Sequence, residues 1–269
     1  MPLVDLLTTL LRPPGAGIHL VSTGRDAQAA LVRRFAGAAT DEEVQQRWRI
    51  SLRDLGMARV VLLGIPSDTG AGYRRGANLA PAAIRERLLE ADRGWFGRAR
   101  AAGLVDLGDV FTVPQLLHDE QLAPAQLEAC RAALYPGLPA AEAAALPVSP
   151  LSIAEAVLRA VLAAHPHLKV LVLGGDHSCA WPAVAALAAA RPGLGVVQID
   201  AHTDLLPERL GIRLCFGTWS FHANERLGRG GRLVQVGIRA SRHDQAHWER
   251  TLDVRQLWAD EVQIGRAHV

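Results

Sequence analysis

The sequence predicts a three-layer α/β/α fold, with helices covering both faces of a mainly parallel sheet, and three observations predict it. Five short runs of leucine and β-branched residues, at 59–65, 103–107, 169–173, 195–200 and 232–237, each end at or beside a glycine or aspartate. Alanine-rich or amphipathic segments of helical length lie between or after them, at 81–91, 152–164, 182–190 and about 244–252. The runs are apolar on both faces instead of alternating, as strands are when helices pack on either side. Strands and helices in that rhythm make a doubly wound sheet, and such sheets bind ligands beyond the carboxyl ends of their strands.

Taken in order, residues 1–57 fit the rhythm least. Pro13 and Pro14 break the opening helix, and 40–53 reads as an amphipathic surface helix, so 1–57 is expected to be a partly helical N-terminal extension. The first strand, 59–65, runs into a loop holding Gly70, Gly72 and Gly76 around Tyr73-Arg74-Arg75; the spacing matches no nucleotide motif, and a substrate-rim loop is expected. The helix at 81–91 and the strand at 103–107 follow. Residues 135–150 hold four prolines and many alanines and read as a surface loop before the helix at 152–164. No internal repeat is present, and 58–263 reads as one α/β domain.

Of 269 residues, 49% are hydrophobic and 21% charged, enough to bury a core and far from a disordered composition. A net charge of +2 gives no basic field for nucleic acid or an anionic membrane. Cys130, Cys179 and Cys215 are scattered and odd in number, against a disulfide framework or a cysteine zinc site. No apolar stretch is long enough for a membrane span, and the N-terminus lacks the pattern of a signal peptide. A soluble cytoplasmic protein is expected.

The chemistry lies after the third and fourth strands, in Gly174-Gly175-Asp176-His177-Ser178 and Asp200-Ala201-His202-Thr203-Asp204. In an extended backbone Asp200, His202 and Asp204 point the same way. Two carboxylates and an imidazole at the end of a buried strand are costly unless a cation neutralises them. A lone Asp-x-His is usually a capping aspartate beside a surface histidine. Three such groups in five residues, with His177 arriving from another strand, are better explained as metal ligands of the Mn²⁺, Fe²⁺, Co²⁺ or Zn²⁺ type. Other histidines read as structural: His165 and His167 flank a proline, and His243 and His247 lack the glutamate of a metalloprotease helix. Trp181 and Trp219 read as core or pocket wall.

GGDHS followed by DAHTD resembles the ureohydrolase family, the binuclear manganese enzymes that include arginase, agmatinase and formimidoylglutamase. Gly64-Ile65-Pro66 with Gly76 and Pro81-Ala82-Ala83-Ile84-Arg85, Val105-Asp106-Leu107-Gly108-Asp109 and Val234-Gln235-Val236-Gly237-Ile238-Arg239 match in order, so the likeness covers about 58–240. The resemblance implies an arginase-like fold, two Mn²⁺ ions and a small guanidino or amidino substrate whose C–N bond is hydrolysed. It also implies a homo-oligomer. Carried over residue by residue, His177 and Asp204 bind one ion, His202 the other, and Asp200 bridges. Asp204 also orients the nucleophile, and Asp176 has a supporting role.

Three departures stand against that pattern. The family's later Ser/Thr-x-Asp-x-Asp-x-x-Asp-Pro motif, which completes the metal shell, has no match after Arg239, and the last strands of the family's eight-stranded sheet are missing. Phe216 stands where agmatinase-like members place a histidine before Gly-Thr, and His222, six residues on, is the candidate substitute as a proton-transfer residue. Leu205-Leu206 stands where arginases place a carboxylate-reading asparagine. Residues 264–269 back-translate to ATC-GGA-AGA-GCA-CAC-GTC, similar to a sequencing-adapter start, so a non-native tail and a truncated, inactive product of an agmatinase-like parent are expected. The competing expectation is a non-catalytic relative that serves binding or assembly.

Overall fold

A computed structural model describes residues 1–71 and 74–262. Gly72 and Tyr73 of the glycine loop and the tail at 264–269 lie outside the described residues.

The chain opens with α1 (Leu3–Leu10), the two-residue β1 (Leu11–Arg12), α2 (Arg25–Ala36) and α3 (Asp41–Leu52). It then alternates through β2 (Val60–Ile65), α4 (Ala80–Ala91), α5 (Trp95–Ala101), β3 (Leu104–Val110), α6 (Pro124–Leu134), α7 (Ala140–Ala143), α8 (Pro150–Ala164) and β4 (Lys169–Gly174). The last part holds α9 (Ala180–Ala190), β5 (Val196–Ile199), α10 (Trp219–Leu227), β6 (Leu233–Ile238), α11 (Gln245–Leu252) and β7 (Arg255–Trp258). All the sequence-expected strands form, and among the described residues every strand pairing is parallel except β1 with β3. No described helix is long and apolar enough to cross a membrane, and all three cysteines are free thiols.

The main core lies between β2 and the helices around it. On α8, Leu151, Ala154, Val157, Leu158, Val161 and Leu162 recur at helical spacing and are buried; Pro150 opens the helix, where its missing N–H costs nothing. The N-terminal 57 residues feed the same core: Leu7, Leu10, Leu11 and Leu52 are fully buried, and Trp48 donates its indole N–H to the Leu107 carbonyl at 3.0 Å. The stretch 135–150 is not a free surface loop. Tyr135, Leu146 and Val148 are buried, and the Asp119 carboxylate accepts the Ser149 amide at 2.8 Å, which pins the segment despite its prolines.

Hydrogen bonding divides the strands into two sheets, ordered β1-β3-β2-β4 and β5-β6-β7, where one continuous sheet is the sequence expectation. Among the described residues β4 and β5 pair on one side only. Their apolar side chains stay in water: Leu171 is 46% exposed, Val197 66% and Ile199 82%. Open edges with apolar residues recruit other strands. Leu171→Lys with Val197→Lys is therefore expected to raise the monomeric fraction in size-exclusion chromatography with light scattering. Unchanged self-association would show that these edges are not what sticks.

Candidate metal centre

β4 ends at Gly174, and the chain must turn at once beneath the β2 loop. A Cβ on Gly175 would collide with the Ser67 backbone, so only glycine allows this approach. Asp176 then caps the short turn 177–179: its Oδ1 accepts the Ser178 amide at 2.9 Å, and its Oδ2 accepts the Gly70 amide at 3.1 Å. Burial pushes the Asp176 carboxyl above its ordinary range despite those bonds. Its role is to join the glycine loop to the site, and His177 is presented just beyond it.

β5 ends at Ile199, so the following Asp-Ala-His-Thr-Asp run is a loop, not extended strand. Asp204 sits in the left-handed region at φ 49, where aspartate is tolerated better than most residues. That twist separates Asp204 from the straight i, i+2, i+4 row. His177 Nδ1 lies 2.8 Å from Asp200 Oδ2 and 3.1 Å from Asp204 Oδ2. One ligand atom from each of His177, Asp200 and Asp204 lies within 4.8 Å of the others. His202 stands apart: its side chain is 67% exposed and its Nδ1 is 3.5 Å from Asp200 Oδ1. It lines the same cavity from the other side of Asp200.

The electrostatics fit a cation. Burial alone would lower the His177 imidazole, but Asp204 and Asp200 outweigh it and hold it above its ordinary value. Burial raises the Asp200 carboxyl, yet the His202 amide, the Gln198 side chain and His177 together keep it below the usual range. The two carboxylates thus favour positive charge at this position, as they do when a divalent ion is ligated by a neutral imidazole and two carboxylates. Mixed nitrogen and oxygen donors without thiolate suit manganese and its neighbours.

Behind the ligands lies support that sequence reading missed. Trp219 donates its indole N–H to Asp204 Oδ2 at 3.0 Å and packs on the His177 ring, centroids 4.6 Å apart. Gln198, Gln235 and Gln256 occupy one rung of β5, β6 and β7. Gln256 donates to Gln235 at 2.7 Å, Gln235 to Gln198 at 2.6 Å, and Gln198 to Asp200 Oδ2 at 3.0 Å. Fully hydrogen-bonded buried amides hold the carboxylate in one orientation. The signal was a glutamine inside each of two otherwise apolar runs.

The centre opens into a cavity of about 650 Å³ whose wall includes Leu205, Leu206, Phe216 and Trp248, with Arg209 and Arg242 also facing it. His222 is not among the lining residues. Its Nε2 lies 2.9 Å from the Pro207 carbonyl and its Nδ1 3.4 Å from Arg213, which itself pairs with Glu120. Burial and then Arg213 lower its basicity. The structure therefore brings His177, Asp200 and Asp204 together, sets His202 beside them, and places His222 in a loop tether.

A family model described as the arginase family matches residues 58–268. The chain is 31% identical to proclavaminate amidinohydrolase of Streptomyces clavuligerus over 75% of its own length and 56% of the relative's. It is 30% identical to the mitochondrial guanidino acid hydrolase of Homo sapiens over 74% of its length and 49% of that protein's. The solved proclavaminate amidinohydrolase superposes with a TM-score of 0.53 at 28% identity, covering 76% of this chain and 58% of that one. The chain spans about half the length of the curated relatives it matches.

Proposed function

The chain belongs to the arginase family, and from that premise we propose that it supplies four ligands of a binuclear manganese centre serving hydrolysis of a guanidino or amidino C–N bond. The observation that carries this is the convergence of His177, Asp200 and Asp204 to within 4.8 Å, with His202 beside Asp200. His177 and Asp204 would hold one ion, His202 the other, and Asp200 both. When bound, the ions supply water activated for attack at neutral pH. Asp200 stays fixed by its glutamine ladder, so its oxygens do not reorganise during the reaction. Asp204 has Oδ2 engaged by Trp219, which leaves Oδ1 to orient the nucleophile and to carry a proton toward the leaving amine. Leu205, Leu206 and Trp248 exclude water from one side of the reacting carbon. Products are an amine with urea, or formamide from a formimino substrate. We assign His222 to holding the 207–222 loop.

The test is urea, formamide and amine release from a panel of guanidino and formimino compounds with and without manganese. Manganese-dependent release that Asp200→Asn abolishes is expected. A manganese-loaded protein that releases nothing from any of them would overturn the hydrolase.

A second reading, a non-hydrolytic metal-dependent binder, is favoured by one observation: the described residues bring three ligand groups into a single cluster. Titration calorimetry separates the two. Two manganese ions per chain support the hydrolase; one ion and no product support the binder.

A further inference from the structure

The cavity above the proposed metal centre carries positive charge that the proposed reaction does not need. Its lining holds Asp200 and Asp204, the proposed ion ligands, and two guanidinium groups, Arg209 and Arg242, face it from separate loops. Neighbouring arginines are committed: Arg75 pairs with Asp68 at 2.9 Å and Arg213 with Glu120. Neither Arg209 nor Arg242 has a carboxylate partner among the described residues. The carboxylates that line the cavity are engaged elsewhere, Asp176 by Gly70 and Ser178, Asp200 and Asp204 by His177.

Arg209 is also held in place. It exchanges both backbone hydrogen bonds with Ile212, each 2.9 Å, across a two-residue turn in which Leu210 and Gly211 both take positive φ, 54° and 78°. Its guanidinium lies over the Phe216 ring, 5.1 Å from the centroid, a cation–π arrangement that restrains a long side chain. Phe216, the departure from the family's histidine, thereby acquires a use: it is the platform for a positive charge at the cavity. Arg242 approaches from the loop after β6, which also supplies Ala240, Ser241 and His243 to the lining.

Resting on the hydrolase proposed above, we propose that Arg209 and Arg242 form a carboxylate-binding rim that selects guanidino or amidino acids over amidines with a cationic tail. The amidine end lies over the proposed metal centre and an aliphatic linker lies on Leu205, Leu206 and Trp248. The tail carboxylate meets guanidinium forks, whose paired N–H donors match its two oxygens. An amine tail would meet two like charges instead.

Titration calorimetry with the whole chain in manganese tests this, using 4-guanidinobutanoate and 4-guanidinobutylamine, which share chain length and guanidinium and differ in tail charge. The acid is expected to bind at least about tenfold tighter, and Arg209→Gln and Arg242→Gln are each expected to weaken it about tenfold. Both arginines are exposed, so the variants keep their fold, checked by circular dichroism, and their manganese isotherms. Equal binding of the two compounds, tighter binding of the amine, no binding of either, or acid binding that ignores both substitutions overturns the proposal. Normal manganese binding with no tail preference removes the rim and leaves the hydrolase. Arginine-dependent acid binding in a protein that takes up no manganese keeps the rim and removes the hydrolase.

Discussion

Asp200→Asn is expected to abolish manganese binding, weakening it at least a hundredfold, while leaving the metal-free protein folded. Changing a residue that merely supports a ligand commonly costs ten- to a hundredfold in affinity, and Asp200 is placed to ligate directly. Its Oδ2 lies 2.8 Å from His177 and its Oδ1 3.5 Å from His202, so one substitution touches both proposed ion positions. Asparagine keeps the shape and an acceptor for the His202 amide, which Asp200 Oδ1 now takes at 3.0 Å. What it removes is the charge, together with the acceptor that Gln198 Nε2 uses at 3.0 Å. Without metal, the loss is one partly exposed His–Asp contact and that one hydrogen bond, a modest change in stability. With metal at a hundred times Kd, the wild-type chain gains about 2.7 kcal/mol, read as a rise in melting temperature that chelator reverses. The variant should show no such rise. A metal-induced shift as large as in the wild type would mean that the ion sits elsewhere.

The strands were legible because burial on both faces leaves an unbroken apolar run, and observed ends fall within one or two residues of expectation for 60–65, 169–174, 196–199 and 233–238. β3 extends further than its run, to Val110. Gly108, at φ 94, lets the strand bulge, so that Leu62 faces Asp106 while Leu63 faces Gly108. A charged residue inside a strand reads as its end unless its partner is known, and the partner of Asp109 is Arg85, twenty-four residues earlier. β7, Arg-Gln-Leu-Trp, is short and half polar, and only its place beside β6 makes it a strand. The two motifs of the candidate site were legible because both follow strands closely enough to share one end of the fold. Spacing alone did not show that His177, from the other motif, makes the tight group with both aspartates. The glutamine rung is likewise invisible until register aligns three strands.

Arg85→Met should be strongly destabilising, costing about 3–5 kcal/mol, although it lies outside the proposed metal centre. Arg85 is fully buried on α4 and reaches β3 with its whole guanidinium: Nε and Nη2 donate to the two Asp106 oxygens at 2.8 Å each, and Nη1 pairs with Asp109. Those two charges hold its pKa well above the ordinary arginine value, even though burial opposes it. Methionine fills most of the volume but leaves two carboxylates facing each other without a counter-charge. Asp109 is 2% exposed and also accepts the Gly15 amide at 2.8 Å, so its repulsion from Asp106 is transmitted to the N-terminal segment. Urea unfolding followed by tryptophan fluorescence reports this directly, because Trp48 is bonded to the same strand. Arg85→Met with Asp106→Asn and Asp109→Asn should regain most of the loss: once the charges are gone together, no uncompensated ion remains. Asparagine is the fitting replacement, since a Cβ on Gly64 would already touch the Asp109 carboxylate and nothing larger fits. If the single variant lost less than about 1 kcal/mol, or the triple variant fell further than the single, the cluster would be holding shape through packing and not through charge balance.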